Sequence, residues 1–275
     1  MIKIIADSSC DMNHIEGVNF TCVPLTISTD DKSFIDDETL NVAELLDTLA
    51  HYNGRSYTAC PSVDSWVEAF EGGDEIYVVT MTSTLSGTYN SAMVALDMYK
   101  NEHPDALIHV FDSLSTGPEM RLIIEKIIEL KKNNMEFEDV CRTIDTYMKK
   151  NRLFFTFQSL HNLAQNGRIN KVLASAIGVL GITIIGTASE EGDISPIGKC
   201  RGNKKVVRKL LDDIKEAGYN GGKVRICHVE NKELADNLIT SLKSEYPDAD
   251  TLVYPARGLC SYYCERGGII IGIEG

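Results

Sequence analysis

At 275 residues and 43% apolar content, the chain has the length for two ordinary domains and the material for sizeable cores. Its formal charge of −13 argues against a general phosphate-backbone binder, because that role depends on dense lysine and arginine surfaces. Eight cysteines without a C-x-x-C pair do not make a disulfide framework in a chain this long, and reduced, mostly buried thiols are expected.

The N-terminus, "MIKIIADSSCDM", reaches Asp7 after too few apolar residues for a signal peptide, so a cytoplasmic protein is expected. "IKIIA" (2–6) reads as a β-branched strand ending at Asp7-Ser8-Ser9, and "NVAELLDTLAHY" (41–52) as an amphipathic helix capped by Asn41. "SVDSWVEAF" (62–70) is a helix opened by Pro61-Ser62, "EIYVVTM" (75–81) a strand, and "GTYNSAMVALDMY" (87–99) a helix. Strand "LIHVFDS" (107–113) and helices at 118–133 and 136–151 complete the first half. Such alternation predicts a parallel sheet covered by helices over 1–151.

The second half reads differently. Strand "RLFFTFQ" (152–158) runs into a polar connector, "HNLAQNGRINK", and then into the apolar stretch 172–188, broken by glycines and read as a helix followed by a buried strand rather than a membrane span. A hairpin (188–200), helices at 203–218 and 232–247, and strands at "KVRICHVE", "TLVYP" and "GIIIGIE" follow. Clustered strands with fewer crossovers predict an α+β domain over 152–275. The fold class expected is therefore α/β, in two domains.

"TSTLSGTYNSA" (82–92) places four hydroxyls, Thr82, Ser83, Thr84 and Ser86, ahead of a glycine where a strand turns into a helix. A parallel sheet collects ligands at the C-terminal ends of its strands, and a helix starting there points unpaired N–H groups and a partial positive charge at them. Ser86, Gly87 and Thr88 supply hydroxyl donors and a close backbone approach. No lysine follows the glycine as in a Walker loop, and the G-x-S-x-G frame is missing, so a compact anion such as a carboxylate suits the segment. Ser86 or Thr88 serving simply as a helix cap is the competing reading. Thr58 in "TACPS" (58–62) offers a second hydroxyl at the sheet edge, where turn formation and capping by Ser62 also explain the sequence.

"ADSSCDM" (6–12), "TACPS", "TSTLSGTYNSA", "FDSLS" (111–115), "FFTFQSLHNLAQNGRI" (154–169) and "KCRGNKK" (199–205) occur in the order and approximate spacing of the DegV family of bacterial fatty-acid-binding proteins. The chain resembles that family over nearly its whole length. The resemblance implies two domains with a fatty acid buried between them, its carboxylate held by Thr58 and Ser86. It implies a non-catalytic, acyl-carrying subunit of a fatty acid kinase, presenting the carboxylate to a separate ATP-binding protein that makes an acyl phosphate. No cofactor and no metal are implied.

Departures from the family pattern mark this chain. "TACPS" stands where the family commonly has T-S-Q-P-S, and "LCSYYCERGG" stands where it often has G-T-H-x-G-P-G, which puts Tyr263 at the histidine's place. Tyrosine donates to a carboxylate without titrating near neutrality; a core aromatic is the other reading of Tyr263. Arg168 is a candidate for the head group or for a surface ion pair. Arg201, Lys204 and Lys205 form a basic cluster, read either as a solvated helix start or as a docking patch for the kinase partner. The six histidines lack metal spacing, Asp7 is either a site residue or an Asx turn, and the acidic runs Asp30-Asp31 and Asp36-Asp37-Glu38 are expected to be solvated. The alternative of a different class is an α/β enzyme using Ser86 as nucleophile or phosphate anchor. No His or Lys lies beside Ser86 in sequence to act as its base.

Overall fold

Period-two alternation in the first strand decides the layering of the N-terminal half. In the computed structural model, which describes residues 1–169 and 181–275, β1 (Ile2–Asp7) sends Ile5 to one face and Ile4 and Ala6 to the other. β2 (Phe20–Val23) pairs beside it; then come the short strands β3 (Thr26–Ser28) and β4 (Ser33–Ile35), helix α1 (Val42–His51) and β5 (Tyr57–Ala59). Helix α2 (Val63–Phe70), β6 (Glu75–Thr80), α3 (Thr88–Glu102), β7 (Leu107–Asp112), α4 (Gly117–Lys132) and α5 (Phe137–Met148) complete this part. The sheet order is β2-β1-β6-β7, all parallel, as the alternation predicts. Trp66 and Phe70 of α2 and Ala92 and Ala95 of α3 cover Ile5, Ile76 and Val78, while Met120, Ile123 and Ile127 of α4 and Val140 and Ile144 of α5 cover Ile4, Tyr77 and Val79. Asn41 accepts from the Glu44 N–H at 3.2 Å and Ser62 from the Ser65 N–H at 3.1 Å, so α1 and α2 begin where their caps place them.

The C-terminal half contributes β8 (Arg152–Phe157), α6 (His161–Gln165), β9 (Ile182–Ala188), β10 (Ile194–Arg201), α7 (Asn203–Glu216), β11 (Val224–His228), α8 (Lys232–Glu245), β12 (Thr251–Pro255), α9 (Gly258–Cys264) and β13 (Ile269–Ile273). Its sheet runs β10-β9-β8-β13-β11-β12, antiparallel except for the parallel β11–β12 pair. Phe154, Ile226, Ile269 and Ile271 face α7 and α8; Leu153, Phe155, Phe157 and Ile270 face inward. The inward face meets α4, which packs on both large sheets. Gly272 is required there: a Cβ on it would lie 2.7 Å from the backbone of Pro118 and Glu119.

Several elements differ from the expectations. β2 to β5, α6 and α9 were not predicted. β3, β4 and β5 form a three-stranded antiparallel sheet in which Ile27 faces Phe34 across a hairpin and Thr58 of the more distant β5, and three-residue strands carry too little periodicity to be read alone. The "TACPS" segment thus opens on a strand. Asp36, read as solvated, is fully buried because its carboxylate accepts backbone N–H groups of α9 from the far end of the chain. The helix expected in the first part of 172–188 falls largely outside the described residues; the strand that follows it is β9. Among the described residues no helix is long and apolar enough to cross a membrane. All eight cysteines are free, five of them buried.

Candidate functional site

A narrow cavity lies between the two halves. Its floor is the inward face of the six-stranded sheet, with Leu153, Phe155, Phe157 and Ile270. Leu259, Cys260, Tyr263 and Cys264 of α9 form one wall, and Met81, Thr82, Leu85, Ser115 and Thr116, from the loops after β6 and β7, form another. The turn between β9 and β10 closes over these loops: the Thr84 hydroxyl donates to the Glu191 carbonyl at 2.6 Å, and Gly192, Asp193 and Ile194 complete the lining. The interior is almost wholly apolar, and its polar exceptions include Arg168 and Tyr263. Such a space suits a molecule with a long apolar body and one polar end.

Several hydrogen bonds fix that polar end. Thr58 and Tyr263 share a hydroxyl–hydroxyl bond of 2.7 Å, and Ser56 and Tyr262 one of 2.8 Å. Asn166 donates to the Tyr262 hydroxyl at 2.8 Å, and Gln165 accepts from Ser56, so α6 and the turn after it lock the strand β5 against α9. Burial holds the Tyr263 phenol above its ordinary pKa, while the Thr58 hydroxyl and Arg168 pull the other way. It therefore stays protonated and able to donate. The Arg168 guanidinium donates to the Asn166 carbonyl at 3.2 Å, and no ion pair with a carboxylate involves it among the described residues.

The S-G-T loop is held from below. Asp7 accepts the Met81 N–H at 2.7 Å, and Asp112 accepts the N–H groups of Ser83 and Leu114. Ser86 meets Thr88 Oγ1 at 2.8 Å and accepts the Thr88 N–H at 3.3 Å, while Gly87 holds the N-cap position of α3, which has no side-chain cap bond. These are the only side-chain hydrogen bonds of Ser86 among the described residues, and neither partner is a general base. Leu85 is in the cavity wall; Ser86, Gly87 and Thr88 follow it outside the lining. Thr58 is one hydrogen bond from the cavity through Tyr263, and a Cβ on Gly87 would touch the Cys60 sulfur at 3.4 Å, so the "TACPS" and S-G-T loops adjoin. Arg201, Lys204 and Lys205 lie exposed where β10 passes into α7.

Sequence reasoning passed over Ser56, Gln165, Asn166 and Tyr262, whose roles depend on contacts spanning about 100 to 200 positions. Of the buried acids beneath the site it named Asp7 and passed over Asp11 and Glu119. Burial pushes Asp11 up to about 7, against the Arg257 N–H that it accepts, and its titratable neighbours are Cys227, Asp36 and Cys260. Asp7 is raised to about 6 and Glu119 to about 7, again by burial.

These groups keep a proton in the native state that the unfolded chain loses near its ordinary carboxylate pKa. Stability therefore falls as pH rises from about 4 to about 7 and levels off above that. Asp11→Asn keeps a carbonyl oxygen for the Arg257 N–H and removes the titration. Denaturant unfolding at pH 4.5 and 7.5 is expected to show a drop in the wild type larger by roughly 1–4 kcal/mol than in the variant; equal drops would mean that Asp11 is ionised throughout.

The layering and the cavity define a mixed α/β protein with an apolar cleft between its halves. The family model described as "Uncharacterised protein, DegV family" matches residues 1–273. A DegV domain-containing protein of Streptococcus pneumoniae is 40% identical over 276 residues, covering 99% of this chain and 98% of the relative. The chain belongs to the DegV family. Among solved structures, a DegV family protein from Eubacterium eligens loaded with heptadecanoic acid superposes with a TM-score of 0.98 at 54% identity, covering 100% of this chain and 99% of that one. The Streptococcus pneumoniae Fatty Acid Kinase B3 protein loaded with linoleic acid gives a TM-score of 0.97 at 40% identity over 99% of both chains.

Proposed function

We propose that this protein binds a long-chain fatty acid between a domain of residues 1–151 and one of residues 152–275, and presents its carboxylate to a separate fatty acid kinase subunit for acyl phosphate formation. It performs no bond-making step itself. The observation that carries this reading is the apolar cavity with Tyr263 and Arg168 in its lining, in a fold shared with a protein loaded with heptadecanoic acid. Thr58, Ser86, Tyr263 and Arg168 orient the carboxylate, with Gly87 and Thr88 shaping the loop beside it. The exposed cluster of Arg201, Lys204 and Lys205 serves as the docking patch for the kinase, since a local positive field on an acidic protein orients an encounter.

The energetics divide the labour. A sixteen-carbon tail gains roughly 0.8 kcal/mol per buried methylene, on the order of 10 kcal/mol before ordering costs. A hydrogen bond to a carboxylate contributes about 1.5–3 kcal/mol and is opposed by desolvation of the charge. Tail burial sets affinity; the hydroxyls and Arg168 set direction.

Mass spectrometry of a lipid extract from purified protein is expected to find bound fatty acid, and an extract without lipid together with no uptake of added heptadecanoic acid would refute the reading. Thr58→Ala combined with Ser86→Ala is expected to weaken heptadecanoic acid binding about 10- to 100-fold, whereas Lys204→Glu changes it less than about twofold and instead lowers acyl phosphate formation with the kinase. Equal losses of acyl loading in the two variants would contradict the roles assigned.

A further inference from the structure

We propose that Asp36 and Asp11 are positioning residues of this site. They clamp the first turn of α9 to the N-terminal half, and through that turn they set where Tyr263 presents its hydroxyl. The inference rests on the fatty-acid reading above and adds to it the residues that control head-group geometry.

Helix α9 is seven residues long and has no side-chain cap of its own at its N-terminal residue. A helix this short is marginal alone, and its first N–H groups need acceptors. They find them in two carboxylates more than two hundred positions away. Asp36 Oδ1 accepts the Gly258 N–H at 3.0 Å and Oδ2 the Leu259 N–H at 2.8 Å, while Asp11 Oδ1 accepts the Arg257 N–H at 2.8 Å. Three consecutive amides are thus held by charge-capable acceptors that are 0% and 6% exposed. When ionised, such acceptors make stronger bonds than neutral ones and complement the positive end of the helix. The fit leaves no slack: a Cβ on Gly258 would stand 2.5 Å from Asp36 Oδ1 and from a Leu40 methyl. The Arg257 guanidinium donates to the Asp37 carbonyl, adding a fourth tie to the same segment.

The three-stranded sheet makes this clamp matter for the ligand. Asp36 follows β4 directly, and its N–H is held by the Leu25 carbonyl at 2.9 Å. β4 pairs with β3, and β3 pairs with β5, which carries Thr58. One small sheet therefore holds both the acceptor that places α9 and the hydroxyl that Tyr263 meets at 2.7 Å. Tyr263 lies about one helical turn, roughly 6 Å, beyond Leu259, so a tilt of the clamped turn is passed directly to its ring. A neutral cap would satisfy these amides, yet two carboxylates are buried here at the expense of their hydration. Rigid placement of α9 is what the two buried acceptors add, Asp36 holding two successive amides with one side chain.

The test compares two probes of equal length, heptadecanoic acid and heptadecan-1-ol, on the full chain. Asp36→Asn is expected to weaken binding of the acid about tenfold while changing binding of the alcohol less than about threefold, because the tail contacts remain. In a Tyr263→Phe background the same substitution is expected to have no further selective effect on the acid. Asp11→Asn, which leaves the Arg257 N–H a neutral and weaker acceptor, should give a smaller loss of the same acid-selective kind and keeps the test open if Asp36→Asn does not fold. Equal weakening of acid and alcohol, an undiminished effect of Asp36→Asn in the Tyr263→Phe background, or no loss of acid binding in either aspartate variant would overturn the assignment. Failure of the wild type to bind heptadecanoic acid would instead remove the fatty-acid reading itself.

Discussion

Replacing Ala188 by tryptophan is expected to abolish retention of a long acyl chain. Ala188 ends β9 on the inward face of the six-stranded sheet, where it shares the alternation of Ile182 and Ile184 and stands in the cavity wall with Leu153. An indole projecting from this position takes the volume that the tail needs. Displacing about six methylenes at roughly 0.8 kcal/mol each forfeits about 5 kcal/mol, or between 10³- and 10⁴-fold in affinity. The position is only half-buried, so overpacking strain should be small beside that loss. Titration with heptadecanoic acid and mass spectrometry of the purified variant check the result. A folded variant that carries a full equivalent of heptadecanoic acid would show that the tail lies elsewhere.

The second large effect concerns the contact between α4 and the six-stranded sheet. Arg225 on β11 is 5% exposed and donates to Glu125 of α4 at 3.0, 3.0 and 2.7 Å and to the Asp250 carboxylate at 2.9 and 3.2 Å. Its guanidinium is raised above the ordinary value, the bonds to the two carboxylates outweighing the desolvation that opposes them. Removing Glu125 leaves the buried cation with the Val224 and Asp250 carbonyls and a single carboxylate at the solvent rim, the Asp250 side chain being 60% exposed. Removing Arg225 leaves Asp250 in water and Glu125 with its second partner, Arg121, at 3.1 Å.

Glu125→Ala is therefore expected to destabilise by about 3 kcal/mol or more, and Arg225→Met by only about 1 kcal/mol. The order of the two matters more than either number. Calorimetric unfolding of both variants decides it, and an Arg225→Met protein less stable than the Glu125→Ala protein would show that stranded carboxylates, not a stranded cation, dominate this contact.

Legibility in the sequence followed the range of the interactions. Strands β1, β6 and β7 and helices α1 to α5 declared themselves because their apolar spacing is local and both faces of a parallel sheet must be covered. The same held for β9, β10, α7, β11, α8 and β13. Family-level pattern pointed to Thr58, Ser86 and Tyr263, and the loop "NGRIN" to Arg168. The structure places Tyr263 and Arg168 in the cavity wall and Thr58 against Tyr263, while Ser86 sits one residue beyond the lining.

What escaped was held together at a distance. The run "IDDE" reads as a solvated acidic stretch, yet Asp36 is wholly buried, because the amides that repay its desolvation belong to Gly258 and Leu259. "LCSYYC" has no amphipathic stripe, being buried on most of its surface, so nothing local marks it as a helix. The three-residue strand that carries Thr58 exists only because β3 lies beside it.

The order of side chains along this chain is enough to determine its layers, since hydrophobic periodicity and capping act over a few residues and need no knowledge of what lies opposite. The cavity, the Thr58–Tyr263 bond and the burial of Asp11 and Asp36 were decided only when the two halves came together. Each depends on a desolvation cost being met by a partner one hundred to more than two hundred positions away, and no local pattern records that partner.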